Sequence, residues 1–141
     1  MRRAGTLLAV LALAVAGCGG GDDGGGEPAS DEDKIRAVIE EAYPAFAAGD
    51  SAKFCPTLSA DYKADFEEYY EGACDDATLD KILATVAPAS IEQLENPEIG
   101  SDLKIGEDGK SAYPDVNGDG LELVKEGEDW KLDDFDVPGG S

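Results

Sequence analysis

Residues 30–50 read SDEDKIRAVIEEAYPAFAAGD, and this stretch decides the fold because it predicts one long amphipathic helix. Ser30 is a typical N-cap, and Asp33 stands three residues later, at the capping-box spacing. Gly49 supplies a stop signal, and Asp50 can cap the next turn. The apolar residues recur at helical steps and form a single stripe: Ile35, Val38, Ile39, Ala42 and Phe46. The sequence therefore predicts that a helix opens the folded part of the chain.

Downstream of this helix the pattern predicts further helices and then strands. A second helical stretch runs from about residue 59 to 71, and a third runs from about 76 to 87, where Pro88 is expected to end it. After Pro88, short apolar runs alternate with turn residues and predict strands at 90–95, 101–105, 111–116, 120–126 and 129–136. Short turns between consecutive strands indicate antiparallel pairing. Helices grouped on one side of an antiparallel sheet define an α+β domain.

The last predicted strand contains an irregularity. Trp130 and Leu132 fit one face of a strand, whereas Phe135 and Val137 are out of phase with them. A bulge or a strand end near residues 133–134 would account for the change of phase.

The N-terminus predicts export and attachment to a membrane. Arg2 and Arg3 precede an apolar run, which ends in Val-Ala-Gly-Cys at residues 15–18 and resembles the lipobox of bacterial lipoproteins. The resemblance implies a signal peptide over residues 1–17 and a lipid-modified Cys18, held at the outer face of the cell membrane by two or three acyl chains. Residues 18–29, rich in Gly and Asp, predict a disordered tether. The predicted folded domain then covers residues 30–138.

The charge of the chain restricts its partners. The formal net charge is −21, and loss of the two arginines with the signal peptide would make it more negative. Nucleic acid is excluded because its binding needs a basic surface. Anionic lipid headgroups would be repelled, so the acyl chains must provide the attachment to the membrane.

Several motifs taken together resemble a known family. They are residues 35–50, the run Cys-Pro-Thr-Leu-Ser at 55–59, and Leu-Val-Lys-Glu-Gly-Glu-Asp-Trp-Lys-Leu-Asp-Asp-Phe at 123–135. In this order they resemble the nuclear transport factor 2-like superfamily, in the form found in small actinobacterial lipoproteins. The resemblance implies a curved antiparallel sheet wrapped around the first helix, forming a cone whose mouth often holds a ligand. One scaffold of this kind has many uses, so the fold does not fix the function.

The two later cysteines, Cys55 and Cys74, flank the second helical stretch. An exported chain would carry them into an oxidising compartment, and similar lipoproteins of the family carry a cysteine pair in this region. We therefore expect a disulfide between them. A redox or nucleophilic role is disfavoured because there is no Cys-x-x-Cys spacing and the chain contains no histidine.

The absence of histidine also restricts catalysis, because any enzyme built on this chain must use carboxylates, tyrosines or lysines. Members of the resembled family such as ketosteroid isomerases combine an aspartate base with tyrosine donors in the cone. The sequence identifies no catalytic residue and predicts no cofactor. Residues expected to line a pocket or its rim are Tyr62, Tyr70 and Trp130.

Residues 115–126 match the written calcium-loop pattern of an EF-hand. The flanks of this segment predict strands, and Asn-Gly between alternating segments is a hairpin signal. We therefore expect a plain hairpin, and we retain weak calcium binding as an alternative. Its ligands would be Asp115, Asn117, Asp119 and Glu126.

The sequence as a whole predicts a membrane-tethered extracytoplasmic domain that binds a ligand or a partner without catalysing a reaction. The occupant would be a small hydrophobic ligand or another protein of the cell envelope. Two alternatives remain open: a small isomerase, cyclase or dehydratase using aspartate and tyrosine, and an accessory domain without a pocket. The oligomeric state is not predicted.

Overall fold

The computed structural model describes residues 29–137, which form an α+β domain. Five α-helices come first: α1 (Asp31–Ala47), α2 (Ser51–Phe54), α3 (Ala60–Tyr69), α4 (Asp76–Leu83) and α5 (Pro88–Glu95). A 3₁₀ turn, Cys55–Thr57, joins α2 to the segment before α3. Six short strands follow: β1 (Lys104–Ile105), β2 (Ser111–Tyr113), β3 (Asp115–Val116), β4 (Asp119–Gly120), β5 (Leu123–Glu126) and β6 (Asp129–Leu132). The predicted helix-then-strand order and α+β class are confirmed.

Helix α1 begins and ends as its sequence predicts. The Ser30 hydroxyl accepts a hydrogen bond from the Asp33 amide and donates one to the Asp33 carboxylate, at 3.2 Å and 2.8 Å. At the other end Gly49 adopts a positive φ of 69°, and the amides of Gly49 and Asp50 donate to the carbonyls of Phe46 and Ala45. These two bonds form a Schellman motif, in which a residue without a Cβ reverses the chain.

Two sheets follow the helices, and both are antiparallel. The larger has the order β1-β2-β5-β6, with Ala112 opposite Leu123 and Leu123 opposite Leu132. Between β2 and β5 the chain makes a separate hairpin of β3 and β4. Helix α1 packs against α2, α5 and β6. The space between α1 and the larger sheet is filled by buried side chains, with Ile35, Ile39, Phe46, Leu123 and Leu132 at its centre.

The predicted strand at 90–95 is wrong, because these residues belong to α5. Pro88 occupies the first turn of this helix, where its missing N–H costs no hydrogen bond, and it therefore starts a helix instead of ending one. The Ile91 amide donates to the Ala87 carbonyl, and Leu94 is fully buried. The preceding helix, expected to reach residue 87, ends four residues earlier, at Leu83.

The remaining strands are shorter than predicted. Pro114, which has no amide hydrogen, separates β2 from β3 within the stretch expected to be one strand. The strand expected at 120–126 is likewise divided, into the end of β4 and β5. Strand β6 ends at Leu132, so the strand-end explanation for the changed phase of Phe135 is confirmed. Beyond it, the Asp133 amide donates to the Glu122 carbonyl.

Candidate functional site

A tyrosine-rich groove lies between α3, α4 and the segment that follows β6. Its volume is about 540 Å³, within the range of small-molecule sites. We call it the tyrosine groove and define it by its lining residues: Tyr62, Asp65, Phe66, Tyr69, Tyr70, Ile82, Thr85, Asp134, Phe135, Asp136 and Val137. The predicted pocket residues Tyr62 and Tyr70 are both among them.

Helix α3 presents the aromatic wall. Tyr62, Phe66 and Tyr70 are spaced four residues apart, so they lie on one face of the helix. The ring centroids of Phe66 and Tyr70 are 4.7 Å apart, and those of Tyr69 and Tyr70 are 4.8 Å apart at an interplanar angle of 84°. Tyr69 is 74% exposed, the largest exposed fraction of any large apolar side chain in the described part of the chain. The aromatic wall therefore combines rings that pack against one another with one ring, that of Tyr69, which is open to solvent.

Residues 133–137 form the opposite wall and are fastened to the start of α3. The Ser59 amide donates to the Leu132 carbonyl at 2.7 Å, and its hydroxyl both caps α3 and contacts the Asp133 carboxylate. Farther along, the Tyr62 hydroxyl donates to the Phe135 carbonyl at 2.8 Å. These bonds, together with an isolated parallel bridge between Leu58 and Leu132, hold the segment beside the start of α3.

The ring of Phe135 holds the same segment against the core. It is 3% exposed, and its centroid lies 4.9 Å from Tyr43, 5.0 Å from Phe46 and 5.2 Å from Phe54. The floor of the groove is therefore continuous with the core packed around α1.

The expected disulfide between Cys55 and Cys74 is present and braces the aromatic wall. It joins the 3₁₀ turn before α3 to the loop after it, so the helix lies inside the closed loop. The Cys74 amide also donates to the Glu67 carboxylate at 3.0 Å. Both ends of α3 are thus restrained.

The groove has a negative electrostatic environment. Burial, followed by repulsion from the nearby carboxylates of Asp136 and Asp133, raises the pKa of Asp134 above its ordinary value. Burial also raises the pKa of Tyr62, and the charge of Asp134 adds to the effect. The pKa of Tyr70 is raised by burial, by Tyr69 and by Asp136. The phenols therefore remain protonated hydrogen-bond donors, beside carboxylates that repel one another.

Trp130 lies in the core, away from the groove. It is 2% exposed, and its Nε1 donates to the carboxylate of Asp31 at 3.1 Å. The ammonium of Lys125 bonds the same carboxylate at 2.9 Å and lies 5.6 Å from the centre of the indole ring. Hydrogen bonds from Lys125 and then Trp130 lower the pKa of Asp31. The structure thus does not bring Trp130 to Tyr62 and Tyr70, and this residue borders a separate surface pocket with Lys34 and Lys131.

The segment that matches the calcium-loop pattern is a β-hairpin, so the expected plain hairpin is confirmed. Asn117 and Gly118 both have positive φ at the turn between β3 and β4. The Asp115 carboxylate accepts from the Gly118 amide, whereas Glu126 accepts from the Ala60 amide, far along the chain. Within residues 29–137 no three His, Cys, Asp or Glu side chains form a group that could hold a metal ion. The structure does not bring together the four residues expected to bind calcium: Asp115, Asn117, Asp119 and Glu126.

Sequence reasoning missed the acidic wall and most of the apolar lining. The sequence predicts a strand that runs to residue 136. In the structure, residues 134–137 line one edge of the groove, so that acidic and apolar residues alternate along it. Tyr69 lies in the same predicted helical stretch as Tyr62 and Tyr70, and this position is the sequence signal that could have identified it as a groove residue. Contributions from α4 could not be read from the sequence, because they depend on how the helices pack.

The predicted signal peptide 1–17, the lipidation site Cys18 and all of the 18–29 tether except its last residue lie outside the described residues. Among residues 29–137, none of the helices has the length and apolar character that crossing a membrane requires.

Comparison with known proteins gives no match: no family model, no curated protein and no solved structure is similar to this chain.

Proposed function

We propose that this chain is a membrane-anchored extracytoplasmic lipoprotein whose domain binds a small ligand in the tyrosine groove. The lipobox-like residues 15–18 support the anchor, and the disulfide between Cys55 and Cys74 is of the kind that persists outside the cytosol. The motifs that resemble the nuclear transport factor 2-like superfamily, together with the α+β class, support assignment to that fold. The single observation that carries the binding proposal is the groove itself.

The groove has the composition of a binding site. Its aromatic and aliphatic walls can take up apolar surface, while the phenols and carboxylates at its rim can orient a ligand. Its two walls are held by the disulfide and by the bonds from Ser59 and Tyr62, so the site is largely formed before a ligand arrives. Pre-organisation of this kind lowers the entropic cost of binding.

The position of the groove suits a tethered protein. Asp31 starts α1, directly after the proposed tether, whereas Tyr43 and Phe46 contact the groove floor through Phe135. At 1.5 Å per residue, the twelve residues from Asp31 to Tyr43 separate the two ends by about 18 Å along the helix axis. The start of α1, to which the proposed tether is joined, and the groove are therefore at opposite ends of this helix. We expect this arrangement to leave the groove free when the chain is held at a membrane.

Catalysis and a pure docking role have weaker support. An isomerase-type base would need a carboxylate deep in an apolar pocket, but Asp134 is exposed at the groove rim. An accessory domain would need an apolar patch on its sheet. Ile105 (41% exposed) and Tyr113 (47%) are the exposed large apolar residues of the described strands. Ile105 pairs with Ala112, and Tyr113 pairs with Lys104, so the two exposed residues stand at neighbouring positions of the ladder. Side chains at neighbouring positions point to opposite faces of the sheet, so Ile105 and Tyr113 lie on different faces.

Fatty-acid labelling in living cells tests the anchor. An alkyne-bearing fatty acid should label the wild-type chain and a Cys74→Ser variant, whereas Cys18→Ser should lose the label. Label that persists in Cys18→Ser, or an unprocessed wild-type chain in the cytoplasmic fraction, would refute the anchor.

Binding is tested by NMR on the ¹⁵N-labelled full chain carrying Cys18→Ser, titrated with a panel of small aromatic compounds. We expect amide shifts at Tyr69, Tyr70 and residues 134–137, and their loss in Tyr69→Ser. Tyr113→Ser is the matched control, because it removes an exposed tyrosine outside the groove. Shifts that appear only outside the groove, or none at all, would refute the proposal.

A further inference from the structure

We propose that the tyrosine groove selects organic cations: an ammonium or guanidinium group carried on an apolar body. This inference rests on the proposed binding function and adds the chemical class of the ligand.

The first support is the charge of the lining. Asp65, Asp134 and Asp136 all face the groove, and none of the lining residues within the described part of the chain is Lys or Arg. The three carboxylates therefore lack a cationic partner in the groove wall. Burial, and after it repulsion from Asp136, already raises the pKa of Asp134. A bound cation would relieve this repulsion, whereas an anion would increase it.

The second support is the arrangement of the rings. The planes of Tyr69 and Tyr70 are nearly perpendicular, at 84° with centroids 4.8 Å apart, and the ring of Phe66 packs against Tyr70 at 4.7 Å. Tyr69 is 74% exposed, so its ring is open to a ligand, and aromatic ring faces carry the negative end of the quadrupole. A cation over such a face is attracted electrostatically, and quaternary ammonium groups are recognised in this way.

The third support distinguishes an organic cation from a metal ion. The carboxylates do not gather into a group of three that could hold a metal within residues 29–137. Ile82, Phe135 and Val137 in the lining are apolar and can contact a hydrocarbon or aromatic body. A volume of about 540 Å³ leaves room for that body beside the charged head.

Three probes of nearly equal size isolate the effect of charge: benzylammonium, benzyl alcohol and benzoate. Titrated by NMR into the full chain carrying Cys18→Ser, benzylammonium should bind about ten-fold more tightly than benzyl alcohol, and benzoate should not bind. Raising the salt concentration should weaken benzylammonium alone, because the rim charges are partly exposed and are screened.

Charge variants locate the selectivity. Asp134→Asn and Asp136→Asn should each weaken benzylammonium about two- to five-fold and leave benzyl alcohol unchanged, as expected for rim interactions of ~0.5–1 kcal/mol. Asp102→Asn is the matched control: it removes the same charge from an exposed position outside the groove.

The outcomes separate the two proposals. If benzyl alcohol shifts the groove amides with the same affinity as benzylammonium, the groove binds ligands but the preference for cations is refuted. If Asp102→Asn weakens benzylammonium as much as the groove variants do, the preference reflects overall charge and the inference fails. If no probe shifts the groove amides, the proposed binding function fails as well.

Discussion

Replacing Phe135 by Ala should destabilise the domain strongly, although this residue lies outside every strand. Its ring is 3% exposed and contacts three other aromatic rings, those of Tyr43, Phe46 and Phe54, at centroid distances of 4.9–5.2 Å. The substitution removes all three contacts at once and leaves a cavity between the groove and α1.

The size of the loss follows from burial and from the position of the cavity. Phe→Ala changes in protein cores cost about 3–5 kcal/mol, and the cost is smaller where the surroundings can close or solvent can enter. The cavity would border the open groove, so we expect about 3 kcal/mol, the lower end of that range. Phe135→Leu retains most of the volume but loses the ring pairs, and it should cost about 1–2 kcal/mol.

Urea unfolding followed by tryptophan fluorescence measures these differences. Trp130 is the only tryptophan and is buried in the same core, so its emission reports the unfolding of the domain. Tyr69→Ala is the control, because Tyr69 is 74% exposed, and its loss should change the free energy of unfolding by less than about 0.5 kcal/mol. If Phe135→Ala costs no more than this control, the segment after β6 does not complete the core, and the description of the groove floor is wrong.

Three further substitutions test the restraints described above with the same assay. Replacing both Cys55 and Cys74 by Ala opens a loop with a sequence separation of 19 and should cost about 3 kcal/mol in the chain-entropy model; an unchanged midpoint would contradict the bracing role. Gly49→Ala places a Cβ 3.0 Å from a carboxylate oxygen at a φ of 69° and should cost about 1–2 kcal/mol; a neutral result would mean that the turn relaxes. Asp31→Ala should lower the midpoint at pH 7 more than Glu32→Ala does, since only the former leaves the buried indole N–H without its acceptor. Because folding lowers the pKa of Asp31, its contribution is present above the ordinary value of 3.8 and is lost as pH falls through the lower folded value. The gap between these two variants should therefore close in acid, and a gap that is constant with pH would contradict the assignment.

Local signals in the sequence predicted the parts of the fold that depend on neighbouring residues. The cap at Ser30, the reversal at Gly49 and the hairpin turn at Asn117-Gly118 are all present as expected. Each is decided within a few residues, by a side chain that satisfies the backbone or by a positive φ.

Errors arose where a local signal had two meanings. Pro88 both ends and begins helices, and the apolar spacing of residues 90–95 was too short to distinguish a helix from a strand. Trp130 was expected in one site with Tyr62 and Tyr70, but its N–H is bonded to Asp31, distant in sequence, and it borders a different pocket. Tyr62 and Tyr70 line the same groove because the helical period sets them on one face of α3. The acidic wall opposite them required tertiary contacts that no local pattern encodes.

The bonds at Asp31 have a mechanical consequence. This residue is the first of α1, and its carboxylate is bound to Lys125 on β5 and Trp130 on β6. A force applied at the N-terminal side of the domain would be transmitted directly to β5 and β6. It would not act only by unwinding the first turn of α1. If the chain is held by a lipid at one end and drawn by a bound ligand at the other, the contacts of Asp31 transmit the force to β5 and β6 of the larger sheet.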